Sequence, residues 1–90
     1  MRINNQFVNE RAKPIARWQM AKKGAFTPKD LENMFRRWLD SYVEGAAEAN
    51  GLYYNFAARM ISYCRYHNEI VRDGTQWRWI AAPCKQPPAA

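Results

Sequence analysis

Apolar residues recur at helical spacing through three stretches of the chain and then give way to alternation. Ile15, Trp18 and Ala21 sit three residues apart, with Arg17, Gln19, Lys22 and Lys23 mostly facing outward. This predicts a first core helix that accepts Pro14 in its first turn and ends at Gly24. Leu31, Met34, Phe35, Trp38, Leu39, Tyr42, Val43 and Ala46 keep helical period for over four turns, opposite Glu32, Asn33, Arg36, Arg37, Asp40, Ser41 and Glu44. The second predicted helix therefore runs from Leu31 to Asn50-Gly51, with a break near Gly45 as the alternative. A third helix, capped by Asn55 and running to Tyr66, puts Phe56, Ala57, Met60, Ile61 and Cys64 on one side. Asn55, Ala58, Arg59, Ser62, Arg65 and Tyr66 lie on the other side. One side is core and the other is available for contact.

The beginning of the second helix is marked by local chemistry. In Phe26-Thr27-Pro28-Lys29-Asp30-Leu31, Thr27 is an N-cap, Pro28 takes the first helical position and Asp30 the third. That arrangement resembles a capping box, and Phe26 with Leu31 supplies the hydrophobic staple. After the third helix, Glu69-Ile70-Val71-Arg72 and Trp77-Arg78-Trp79-Ile80 flank Asp73-Gly74-Thr75-Gln76, which predicts a β-hairpin. A loop of Asp73-Gly74 alone sets Ile70 against Trp77 and Glu69 against Arg78. A loop from Asp73 to Gln76 sets Ile70 against Trp79 and Arg72 against Trp77. Both registers put the tryptophans on the Ile70 face.

The flanks are less regular. Residues 1–13 are polar and basic apart from Ile3, Phe7 and Val8, and Ile3 and Phe7 share a helical face, so a short helix or a basic arm is expected. Residues 81–90 contain three prolines and no periodicity, and are expected to form a tail that does not pack. Residues 14–80 are then one mainly α domain with a C-terminal β-hairpin. At 90 residues, 48% hydrophobic and with thirteen aromatic side chains, the chain has enough apolar surface to fold around a single core.

Charge sharpens the picture. The net charge is +6, and residues 1–29 carry seven basic and one acidic side chain, whereas residues 30–52 carry two basic and five acidic ones. Segregation of this kind can build a basic face, the electrostatic footprint of a nucleic-acid binder. No run is long enough for a transmembrane helix and no secretory signal is visible, so a cytoplasmic chain with reduced Cys64 and Cys84 is expected. A Cys64–Cys84 disulfide is the alternative.

Catalytic motifs are absent. No Gly-rich phosphate loop, GxSxG elbow or HExxH occurs, and the acidic residues lie along a solvated face. Cys64 and His67 are spaced to meet on a helix, but a structural zinc needs four ligands and a catalytic one usually three. They are better read as a core cysteine and a helix-end histidine, so binding is expected rather than catalysis, with no cofactor or metal.

The order of helix, stapled helix, helix and hairpin over Pro14 to Ile80 resembles the winged helix-turn-helix superfamily. The Phe-Thr-Pro-x-Asp-Leu wording is similar to that of small bacterial and phage members. The resemblance implies that Asn55, Arg59 and Ser62 of a recognition helix enter the major groove of double-stranded DNA, and that Arg72 and Arg78 of a wing touch backbone or minor groove. Tyr54 and Arg65, together with Lys22 and Lys23 of the basic N-terminal region, would add contacts. A small transcription regulator or accessory factor of a phage or plasmid is the implied function. The competing expectation is a protein-interaction module that binds, and can inhibit, a host or partner protein through its tyrosines and arginines. The acidic second helix, which a duplex would repel, favours that alternative.

Overall fold

A computed structural model describes residues 1–44 and 51–83. The first helix, α1, spans Ala12–Lys23 and follows two short strands, β1 (Arg2–Ile3) and β2 (Gln6–Phe7). Residues 1–13 thus hold neither the expected short helix nor a loose arm. Ile3 pairs with Gln6 across a two-residue turn, and both Asn4 (φ +52°) and Asn5 (φ +65°) are left-handed, as a type I′ hairpin requires. Asparagine tolerates that conformation better than most side chains. The hairpin belongs to the core, because Ile3 and Val8 are buried.

α1 ends as expected at Gly24, whose φ of +83° is a glycine conformation and whose N–H donates to Met20 O. Its buried stripe, however, is Ala12, Ala16 and Met20, while Ile15, Trp18 and Ala21 are only half-buried. The helix is rotated by about one position from the expected face. The small alanines of this stripe suit close packing of α1 against the third helix, residues 52–66.

A two-residue strand, β3 (Ala25–Phe26), separates α1 from α2 (Pro28–Trp38). The cap of α2 forms in full: Asp30 N–H donates to Thr27 Oγ1 at 3.1 Å and Thr27 N–H donates to Asp30 Oδ2 at 2.9 Å. Phe26 and Leu31, the staple pair, are both fully buried.

The expected long second helix is corrected by the structure. α2 stops at Trp38, and Leu39 caps it by donating to Phe35 O at 2.8 Å. A 3-10 turn, Asp40–Tyr42, follows. Long-range pairing then recruits the backbone: Val43 bridges to Val8, Asn9 N–H donates to Tyr42 O at 2.8 Å, and Glu44 N–H donates to Phe7 O at 3.1 Å. Those groups cannot also serve a helix. Of the expected stops, Gly45 and Asn50 lie outside the described residues, and Gly51 opens the next helix instead of closing this one.

The third helix, α3, spans Leu52–Tyr66 and is capped by Gly51 at φ +71°, so it starts three residues before Asn55. The additional turn buries Leu52 and Tyr53 beside the expected Phe56, Ala57, Met60, Ile61 and Cys64. Tyr53 is core, its hydroxyl donating to Asp40 Oδ1, and Phe56 packs on Phe35 with ring centroids 5.0 Å apart. At the other end Asn68 adopts φ +57°, with Asn68 N–H donating to Arg65 O and Glu69 N–H to Cys64 O. This is a Schellman ending in which asparagine takes the usual place of glycine.

β4 (Ile70–Asp73) and β5 (Gln76–Trp79) form the expected hairpin, in the register that sets Ile70 against Trp79 and Arg72 against Trp77. Its two central residues are Gly74 and Thr75, and positive φ falls on Gly74 alone, the type II′ pattern. β3 adds to the other edge of β5, with Phe26 opposite Trp77, so the sheet order is β3-β5-β4. Among the described residues the fold is mixed α/β: three α-helices enclosing one core, with a C-terminal antiparallel sheet and a small N-terminal hairpin. No helix among them is long and apolar enough to cross a membrane. Residues 84–90 lie outside the described residues, and with them most of the expected tail and any Cys64–Cys84 pairing.

Candidate nucleic-acid interface

The exposed side of α3 carries Tyr54, Asn55, Ala58, Arg59, Ser62, Arg65 and Tyr66. The row exists because seven buried side chains fix the opposite side against the core, leaving these positions no rotational freedom. No acidic residue occurs anywhere in α3. Tyr66 is the most exposed aromatic side chain of the row at 82%.

The two ends of the row are held by different elements. In the first half of α3, Asn55 Nδ2 donates to Asn4 Oδ1 at 2.8 Å, and an Arg59 Nη1–H donates to Arg2 O at 3.0 Å. The N-terminal hairpin therefore lies alongside Asn55 and Arg59 and brings Arg2, Asn4 and Asn5 to the same edge. These three residues were not among the sequence-predicted site. The adjacent asparagines between Arg2-Ile3 and Gln6-Phe7 were the available signal, since Asn-Asn suits a type I′ turn.

At the end of α3, the Trp77 ring joins helix to hairpin. The guanidinium of Arg65 lies 5.8 Å from its centroid and that of Arg72 lies 5.4 Å away. Cation–π attraction to an indole thus fixes both arginines at the helix–hairpin junction. Arg72 also donates from Nε to Gly74 O at 2.9 Å, which holds its stem along the turn. Arg78 pairs with Val71 and alternates with Trp77 and Trp79, so it projects from the other face of the ribbon, 3.9 Å from Asp73 Oδ2.

Lys22 and Lys23 stand apart from this group. They line a cleft of about 360 Å³ between α1 and α2 together with Trp18, Gln19, Met34 and Trp38. Trp38, expected in the core, is 58% exposed there. The sequence-predicted residues thus divide into an α3 row joined to Arg72, an Arg78 on the outer face of the ribbon, and a lysine pair in a separate cleft.

Three acidic side chains of the middle segment, Asp30, Glu32 and Asp40, are engaged within the fold. Glu32 accepts from Arg36 at 3.2 Å and lies 3.5 Å from Lys29, Asp30 completes the cap and Asp40 accepts from Tyr53. Arg17 donates from Nε to Glu69 Oε1 at 3.1 Å and through a second nitrogen to Oε2, tying α1 to the segment between α3 and β4. Cys64 is buried and His67 caps α3, where its ring packs against Tyr63 at 4.4 Å and Tyr66 at 5.2 Å. Among the described residues no three His, Cys, Asp or Glu side chains gather into a possible metal site. No family model matches the chain, and neither the curated proteins nor the solved structures contain a match.

Proposed function

We propose that the chain is a winged-helix nucleic-acid-binding domain that contacts double-stranded DNA, a small regulator or accessory factor of the kind carried by phages and plasmids. The observation that carries this reading is the solvent face of α3, which lacks any acidic residue and presents Asn55, Arg59, Ser62 and Arg65 in a single row. The sheet order β3-β5-β4, with β3 between α1 and α2 and the hairpin after α3, supports the winged-helix assignment. In this reading α3 is the recognition helix and β4-β5 the wing. Asn55, Arg59 and Ser62 face base edges, while Arg65, Arg72 and Arg78 contact phosphates.

The test is fluorescence anisotropy of labelled random duplex at two salt concentrations. Binding that weakens steeply with salt is expected, since each neutralised phosphate releases counterions. Absence of binding at low salt removes the reading. The second reading, a protein-binding or inhibitory module on the same scaffold, is favoured by the exposure of Tyr54 at 57% and Tyr66 at 82%, because tyrosine is enriched at protein interfaces. Weak, salt-insensitive DNA binding supports it. Its other argument, an acidic second helix, is weakened by the internal pairing of Asp30, Glu32 and Asp40.

A further inference from the structure

The cleft between α1 and α2 lies outside the α3 row and the wing, and its chemistry is distinct from theirs. Its walls are the indoles of Trp18 and Trp38 and the thioether of Met34; its rim carries Lys22 and Lys23, and none of the six lining residues is acidic. Gln19 lines the same cleft, and its Oε1 is buried with no hydrogen-bond donor among the described residues. A buried oxygen of this kind ordinarily has a partner. Its volume of about 360 Å³ falls within the range of small-molecule sites.

We propose that this cleft binds a planar aromatic anion that carries an N–H donor. Each part of that ligand answers a feature of the site. Flat apolar surface suits Trp18, Trp38 and Met34; a ring or amino N–H satisfies Gln19 Oε1; and an anionic group meets the ammonium groups of Lys22 and Lys23. Lys22 rests 5.0 Å from the Trp18 centroid, so its charge already sits over the aromatic wall and needs only a small displacement to meet an anion. An aryl carboxylate and a nucleotide share this chemistry. The inference is independent of DNA binding by α3, because no residue is common to the two sites.

The experiment titrates the isotope-labelled full chain with indoleacetate and, separately, with adenosine monophosphate. The readout is the indole N–H resonances of the four tryptophans and the side-chain amide of Gln19. Saturable shifts are expected at Trp18, Trp38 and Gln19, while Trp77 and Trp79 stay still. Uncharged indole should bind about tenfold more weakly, and Lys22→Gln combined with Lys23→Gln should reduce indoleacetate to that level. N-methylated indoleacetate should bind about fivefold more weakly than the parent acid, a preference that disappears in Gln19→Leu. Saturation by either probe supports the proposal, and their relative affinities distinguish an aryl acid from a nucleotide. The proposal is overturned if neither probe saturates by about 5 mM, or if the lysine and glutamine variants bind as the parent does. It is also overturned if the Trp38 resonance moves with protein concentration alone, which would make the cleft a contact between copies of the chain.

Discussion

Phe26 and Thr27 decide jointly where α2 begins, but by different physics. Thr27→Ala removes one acceptor from the first turn and should cost about 1 kcal/mol. Phe26→Ala empties a fully buried site opposite Trp77, beside the staple partner Leu31, and should cost about 3–5 kcal/mol. Urea unfolding of both variants checks the ratio, and equal effects would contradict the structure. Glu10 offers a pH-resolved test. The Met1 ammonium, 3.0 Å away, hydrogen-bonds to its carboxylate and attracts it, holding the Glu10 pKa below the ordinary carboxylate value. A depressed folded-state pKa contributes stability at pH values above the unfolded one, and that contribution fades as pH falls through the folded value. Glu10→Gln should therefore melt slightly below the parent at neutral pH, and the two should converge in acid.

At the level of elements, the N-terminal hairpin is the part most coupled to the candidate interface. Ile3 anchors it in the core while Asn4 and Arg2 O hold Asn55 and Arg59, so its loss should disturb both stability and the start of the α3 row. Ile3→Ala should cost about 2–5 kcal/mol in denaturant unfolding, the range for a buried isoleucine. A change within about 0.5 kcal/mol would mean that the hairpin merely rests on the surface. This hairpin was hidden in the sequence because strands of two residues have no period to detect, and the same holds for β3. The end of α2 was hidden for another reason: Val43 has helical spacing from Leu39, and the pattern is overridden by the pairing of residues 42–44 with the distant Phe7, Val8 and Asn9. What could be read in advance was local. Thr27 and Asp30 cap within one turn, and the alternation of Trp77 and Trp79 put both indoles on the Ile70 face. The core side of α3 was also legible from Phe56 to Cys64, though not in the first turn, where Leu52 and Tyr53 are buried. For the site, the α3 row followed directly from that amphipathic pattern. The separation of Lys22 and Lys23 did not, because it depends on how α1 and α2 are placed relative to each other around α3.

Over the whole molecule, the acidic side chains of α2 and its 3-10 turn are paired internally, whereas α3 carries only positive charge. The field outside α3 and the wing is therefore expected to attract polyanions, and single substitutions can separate reading from attraction. Arg59 is the candidate base reader on the α3 row: it stands midway along the helix, and its guanidinium, which donates through Nη1 to Arg2 O, must exchange that bond for a base edge. Arg59→Ala should weaken a selected DNA site by about 1–3 kcal/mol and relax preference at one position, with little effect on random duplex. Arg78 is the cleaner choice for a phosphate contact. It projects from the outer face of the ribbon, 3.9 Å from Asp73, whereas Arg65 and Arg72 also hold Trp77 and their loss would confound folding with binding. Arg78→Ala should weaken selected and random duplex alike and flatten the slope of log K against log salt by roughly one unit. Circular dichroism must first show that both variants are folded, and anisotropy over a salt series then gives the two slopes. If both folded variants bind DNA with the parent's affinity and slope, α3 and the wing do not form the interface, and the exposed Tyr54 and Tyr66 become the surface to test against a protein partner.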